Sequence, residues 1–123
     1  MANRVTSDEV KEIINTSLTD IDAFITAANI LVTYHLASET DMTTDLLKET
    51  ERWLSAHFVA IRDPKIKSES VDGAAASYES GQLGMSLKFT SYGQQALLFD
   101  VTGKLSSIGK KKAVIETIDF EDV

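Results

Sequence analysis

Thr44-Asp45-Leu46-Leu47-Lys48-Glu49-Thr50-Glu51-Arg52-Trp53-Leu54-Ser55-Ala56-His57-Phe58-Val59-Ala60-Ile61-Arg62-Asp63-Pro64 is the stretch from which the fold is read. Leu46, Leu47, Trp53, Leu54, His57, Phe58 and Ile61 recur at helical intervals. The spacing predicts a helix from Thr44 to Ile61. Asp63-Pro64 closes it, because the residue before a proline avoids the helical region. The helix has two apolar flanks. One runs through Leu47, Leu54, Phe58 and Ile61, the other through Leu46, Trp53 and His57. Two flanks ask for two partners, and a second subunit is a candidate for one of them.

Upstream, Thr6 followed by Glu9 fits a capping box, in which hydroxyl and carboxylate each take one first-turn amide. Val10, Ile13 and Ile14 then make a short apolar face. Asp8, Glu9 and Glu12 lie where the helix dipole favours acids. Thr16 to Thr19 is a polar break around Leu18. A second helix is expected over Asp20 to Ala37, with Thr19 as its N-cap. Its core stripe is Ile21, Phe24, Ile25, Ala28, Leu31, Val32 and Leu36. Ser38-Glu39-Thr40-Asp41 reads as a connection.

The character changes after Pro64. Residues 65–89 hold Gly73, Gly81 and Gly84 on a Ser-rich background. Ser68–Val71 and Ala76–Glu79 alternate loosely about the turn signal Asp72-Gly73, so this is a long loop or a β-hairpin excursion. Long loops of this kind are commonly functional. Thr90 or Ser91 caps a fourth, short helix with Tyr92, Ala96, Leu97, Leu98 and Phe99, ending near Asp100. The terminus is polarised. Lys110, Lys111 and Lys112 precede Ala113, Val114 and Ile115, and then come Glu116, Asp119, Glu121 and Asp122. Ala113 to Phe120 alternates well enough for a strand. The expected architecture is therefore mainly α: a small bundle of about four helices over 1–109, with the excursion at about 65–89, and a C-terminal arm over 110–123.

Composition excludes several chemistries. The 123 residues include 12 basic and 19 acidic groups, for a net charge of -7. That balance argues against a general grip on nucleic acid, which wants a basic face. Residues 1–62 carry net -5 and residues 63–123 net -2, so the acidity lies mainly in the helical body. There is no cysteine, which removes disulfides, thiolate metal sites and cysteine nucleophiles. With only two histidines, no metal or other cofactor is expected. The N-terminal residues Met1 to Asp8 lack the apolar stretch of a signal peptide. The most apolar segment, Ala23 to Leu36, is interrupted by Thr26, Asn29, Thr33 and His35 and is too short to span a bilayer. The chain is expected to stay in the cytoplasm of the cell that makes it, away from membranes.

Catalytic patterns are weak. His57 is the strongest single candidate, but a helical histidine beside an aromatic reads first as a packed residue that finds its own partners. His35, next to Tyr34, reads the same way, and no His-Glu-x-x-His pattern joins the two. Asp41, Asp45, Glu49 and Glu51 are read as a solvated helix face, since paired-carboxylate chemistry needs a fixed separation across a cleft. Gly81-Gln82-Leu83-Gly84 lacks the Lys and Ser/Thr of a phosphate loop, and no Gly-x-Ser-x-Gly elbow occurs. Lys110 to Lys112 form the one basic cluster, suited to an acidic partner surface, to phosphate or to plain solvation. Trp53 is of a type enriched both in cores and at interfaces.

Two segments carry a family resemblance. One is Glu51-Arg52-Trp53-Leu54-Ser55-Ala56-His57-Phe58 followed by Arg62-Asp63-Pro64. The other is Thr90-Ser91-Tyr92-Gly93-Gln94-Gln95-Ala96-Leu97-Leu98-Phe99-Asp100 with Thr102-Gly103-Lys104-Leu105. With Phe24-Ile25 and Ala28-Asn29 ahead of them, these resemble small head–tail connector (adaptor, or head-completion) proteins of tailed bacteriophages and prophages. The resemblance runs from about Asp8 to Leu105 and implies a structural role in the virion, with no enzymatic activity. Such proteins form a ring, commonly a dodecamer, beneath the portal of a DNA-filled capsid. The implied partners are the portal protein, a stopper or tail-completion protein, and other copies of the chain. Double-stranded DNA passes through without sequence-specific binding. The implied location is the head–tail junction, after synthesis in the host cytoplasm.

Set on that frame, Leu46, Trp53 and His57 are the candidate inter-subunit flank. Lys110, Lys111 and Lys112 would meet an acidic portal surface. Val114, Ile115, Ile118 and Phe120 would supply an arm that adds a strand to a partner's sheet edge, and the loop after Pro64 would reach the channel or the next tail component. The alternatives are a soluble adaptor domain that binds one protein partner, and a small hydrolase using His57.

Overall fold

The protein, seen as a computed structural model, is described over residues 3–63 and 86–108. Thr6 opens α1 (Ser7–Lys11). Its hydroxyl accepts from the Glu9 amide at 3.2 Å, and the Glu9 carboxylate accepts from the Thr6 amide at 2.9 Å. The expected capping box is thus closed on both sides, and it lets a five-residue helix set the buried Val10 into the core.

α2 (Asp22–His35) is shorter than expected at both ends, and Thr19 does not cap it. Ile21, fully buried, holds the N-cap position with no side-chain cap. The Asp22 amide donates to the Asp20 carboxylate at 3.1 Å, while the Thr19 carbonyl accepts from Lys11 Nζ at 3.0 Å. The need to bury Ile21 sets the entry angle, so α2 starts after it. α3 (Thr44–Arg62) begins where expected. Thr43 caps it through the Leu46 amide at 3.2 Å, and Asp63 leaves it in extended backbone, as a residue before proline must. α4 (Ser91–Phe99) is capped by Thr90, whose hydroxyl accepts from the Gly93 amide at 2.8 Å. Asp100 ends it and folds the next turn by accepting from the Thr102 and Leu105 amides at 3.0 and 2.8 Å. Gly103, at φ 75°, takes the left-handed turn that a side chain would strain.

These four helices, with short 3₁₀ turns at Leu87–Phe89 and Leu105–Ser107, make a small helical bundle with no strand among the described residues. α3 is its axis, and every residue from Leu54 to Ile61 is buried. On one side Leu54, Phe58 and Ile61 meet Ala28, Val32 and Leu36 of α2, together with Leu87, Ala96 and Leu105. On the other, Ala56, Val59 and Ala60 meet Val5, Val10, Ile14, Ile21 and Ile25. Truncating a fully buried leucine in such a core costs about 2–5 kcal/mol.

Two expectations change here. Of the expected second flank of α3, His57 is fully buried inside the bundle and cannot face another subunit, while Leu46 and Trp53 keep part of their surface exposed. α4 and the turn before it pack against α3, because a short helix with Ala96 and Leu97 on its inner side needs an apolar seat. The end of the stretch 65–89 also belongs to the bundle, since Ser86 and Leu87 are fully buried. The hairpin excursion over 64–85 and the arm with Lys110 to Lys112, Val114, Ile115, Ile118 and Phe120 lie outside the described residues.

Candidate functional site

α3 carries His57 into its seam with α4, where the ring is fully buried. Nδ1 lies 2.7 Å from Thr90 Oγ1 and Nε2 3.3 Å from Ser86 Oγ. Thr90 is also the N-cap of α4, so one imidazole links α3 to the start of α4 and to the segment leading into it. Burial pushes the His57 pKa down from the ordinary 6.5 to about 4, which keeps the ring neutral. A ring without solvent-facing atoms cannot take a proton from an external substrate. Its expected place on an inter-subunit flank is likewise corrected, since a fully buried ring offers nothing to another subunit. Trp53 stacks on Tyr92 of α4 with centroids 6.3 Å apart, and Leu46 is half-buried against the same core.

Glu51 is also not the solvated acid expected. It is fully buried, paired with Arg4 at 2.8 Å, and accepts further bonds from the Arg4 amide at 2.7 Å and Asn29 Nδ2 at 3.1 Å. Arg4 reaches on to Thr33 at 3.0 Å. A buried carboxylate persists only when paired and hydrogen-bonded, so this cluster locks the N-terminal segment to α2 and α3. The signal was present in the sequence: Glu51 stands three and seven residues before Leu54 and Phe58, on the core stripe. Asp41 and Asp45 are exposed as expected. Among the described residues no three His, Asp or Glu side chains gather in a way that would hold a metal ion.

The surface that stands out is the outer face of α2. The helix carries no charged residue from Ala23 to Tyr34, twelve positions in a chain that is 25% charged. One side is buried through Ile25, Ala28, Asn29 and Val32. The other presents Ala23, Ala27, Ile30 and Tyr34 in one line, spaced four, three and four residues apart. Ile30 is 60% exposed and Tyr34 80%. Cavities flank the line. One of about 230 Å³ lies between Ala23, Phe24 and Ala27 of α2 and Phe58 and Arg62 of α3. An apolar one of about 210 Å³ is lined by Asn29, Ile30, Thr33 and Tyr34. A third, of about 320 Å³, lies between Tyr34, His35 and Ser38 and the residues Lys104, Ser107 and Ile108. Leu98 on α4 and Val101 just after it are exposed apolar side chains as well.

Scattered exposed apolar residues are ordinary; an uncharged row along a whole helix is not. Ile30 and Tyr34 were absent from the sequence-derived interface. The pattern that reveals them is the twelve uncharged positions themselves, because a helix at the edge of a small bundle can bury only one side. No protein-family model, curated protein or solved structure matches the chain. Among the described residues no helix is long and apolar enough to cross a membrane.

Proposed function

We propose that this chain is a head–tail connector of a tailed bacteriophage, a structural virion protein that forms a ring between the portal and a stopper or tail-completion protein. The observation that carries this reading is the uncharged outward face of α2 with Ile30 and Tyr34, set apart in sequence from a second pair of exposed apolar residues, Leu98 of α4 and Val101 after it. A ring that closes by rotation needs two unlike faces on each subunit, whereas a symmetric dimer needs one. The resemblance of Glu51 to Pro64 and of Thr90 to Leu105 to connector sequences supports the same reading. In it Lys110 to Lys112 and the apolar residues Val114, Ile115, Ile118 and Phe120 contact the portal. The net charge of -7 suits a channel that surrounds double-stranded DNA without gripping it. No catalytic step or cofactor is assigned.

The test is assembly with the portal protein encoded in the same genome, followed by sedimentation and light scattering. The expected product is a portal carrying a ring of this chain. Ile30→Asp and Leu98→Asp should each abolish the ring while leaving helical content unchanged. A chain that ignores the portal and binds a single unrelated protein as a monomer would replace the connector reading with that of an adaptor domain.

A further inference from the structure

We propose that in the isolated protein the outer face of α2 is the docking site of the chain's own C-terminal segment, residues 109–123. This concerns the isolated chain and stands apart from the connector reading. The first observation is where the described fold ends. Ile108 lines the cleft whose opposite wall is Tyr34, His35 and Ser38, so the chain leaves the bundle beside the C-terminal end of the uncharged row. The second is length. From Tyr34 back to Ala23 is about 16 Å along a helix, and the ten residues from Ile108 to Ile118 reach up to about 33 Å when extended.

The third observation is the match of chemistry along the path. The segment starts with Lys110, Lys111 and Lys112, continues with Ala113, Val114, Ile115 and Ile118, and ends with Asp119, Phe120, Glu121 and Asp122. The surface offers, in the same order, the C-terminal end of α2, where cations are favoured, then Tyr34 and Ile30. Last comes the cavity between Ala23, Phe24, Ala27 and Phe58, which Arg62 also lines. An acidic stretch with one phenylalanine suits a cavity of that composition. Tethering also favours the chain's own segment over a second copy, because a short linker holds it at an effective concentration on the order of millimolar.

The test exploits the absence of cysteine, which makes any introduced thiol unique. Ile30→Cys is made in the full-length chain, alone and together with Val114→Asp and Ile118→Asp, and the rate of maleimide labelling is measured at low micromolar protein. The thiol at position 30 should react at least tenfold more slowly with the native tail than with the altered one. Arg62→Glu should relieve part of that protection. A thiol introduced by Leu98→Cys should react equally fast in both backgrounds, which shows that the effect of the tail is confined to the α2 face. Equal rates at position 30 would overturn the proposal. So would protection that grows with protein concentration, because that is the mark of a second copy. No portal is present, so the result is independent of the connector test.

Discussion

Acidification should weaken this fold through His57 in particular. The imidazole is fully buried, neutral and bonded to Thr90 and Ser86, and burial holds its pKa near 4. In the unfolded chain the same group titrates near its ordinary 6.5. Between these values the unfolded state binds a proton and the folded state does not, so stability rises with pH across the window. The contribution is complete above about 6.5 and is lost as pH falls toward 4. A difference of this size corresponds to roughly 3 kcal/mol over the whole window, and about 2 kcal/mol of it is gone by pH 5. The assay is urea unfolding followed by the single tryptophan, Trp53, which stacks on Tyr92 across the same seam. Wild type and His57→Gln are compared at about pH 7.5 and about pH 5. The variant should be less stable at the higher pH, by about 1–3 kcal/mol for the polar partners left unpaired. Its further loss on acidification should be smaller than that of wild type by about 2 kcal/mol. Carboxylates titrate in both proteins and cancel in the comparison. If both lose the same stability on acidification, His57 is not the buried neutral group described here.

Three further perturbations test the packing. Gly93→Ala would drive a Cβ into the Leu87 carbonyl oxygen and within 2.7 Å of its Cα. The clash, about 1–3 kcal/mol or more, outweighs a helix-propensity gain of at most about 1 kcal/mol; an unchanged melting temperature would contradict the close approach of α4 to that turn. Glu51→Ala leaves Arg4 and Asn29 facing a buried void and should cost about 3–5 kcal/mol, with protection of the Arg4 amide from hydrogen exchange lost as well. Thr50 has a buried hydroxyl with no hydrogen-bond partner among the described residues; Thr50→Val should therefore be neutral or raise stability by up to about 1 kcal/mol in urea titration, and a clear loss would reveal a partner for that oxygen.

Much of the helical layout is legible from local patterns. The Thr6–Glu9 capping box, a cap at Thr90 or Ser91 (Thr90 in the structure) and the stop at Asp63-Pro64 are local features, fixed by hydrogen bonds or sterics within a few residues. They came out as read. The start of α2 did not, because the burial of Ile21, and no local cap, decides it. The candidate interface was less legible. His57 reads as part of a face awaiting another molecule, since an apolar flank reads the same whether its partner is a second subunit or a later helix of the same chain.

Apolar periodicity, caps and a proline stop are one-dimensional signals. They determined by themselves that this is a mainly helical bundle and roughly where each helix runs. Which faces are satisfied is a property of three dimensions. α4 folding back onto α3 turned His57 from a surface candidate into a buried link, and the N-terminal segment brought Arg4 to a glutamate 47 positions away. The same packing left Ile30 and Tyr34 facing outward, on the side of α2 away from its core stripe. Burial depends on how elements distant in sequence are arranged, and that arrangement alone separated the covered faces from the open one.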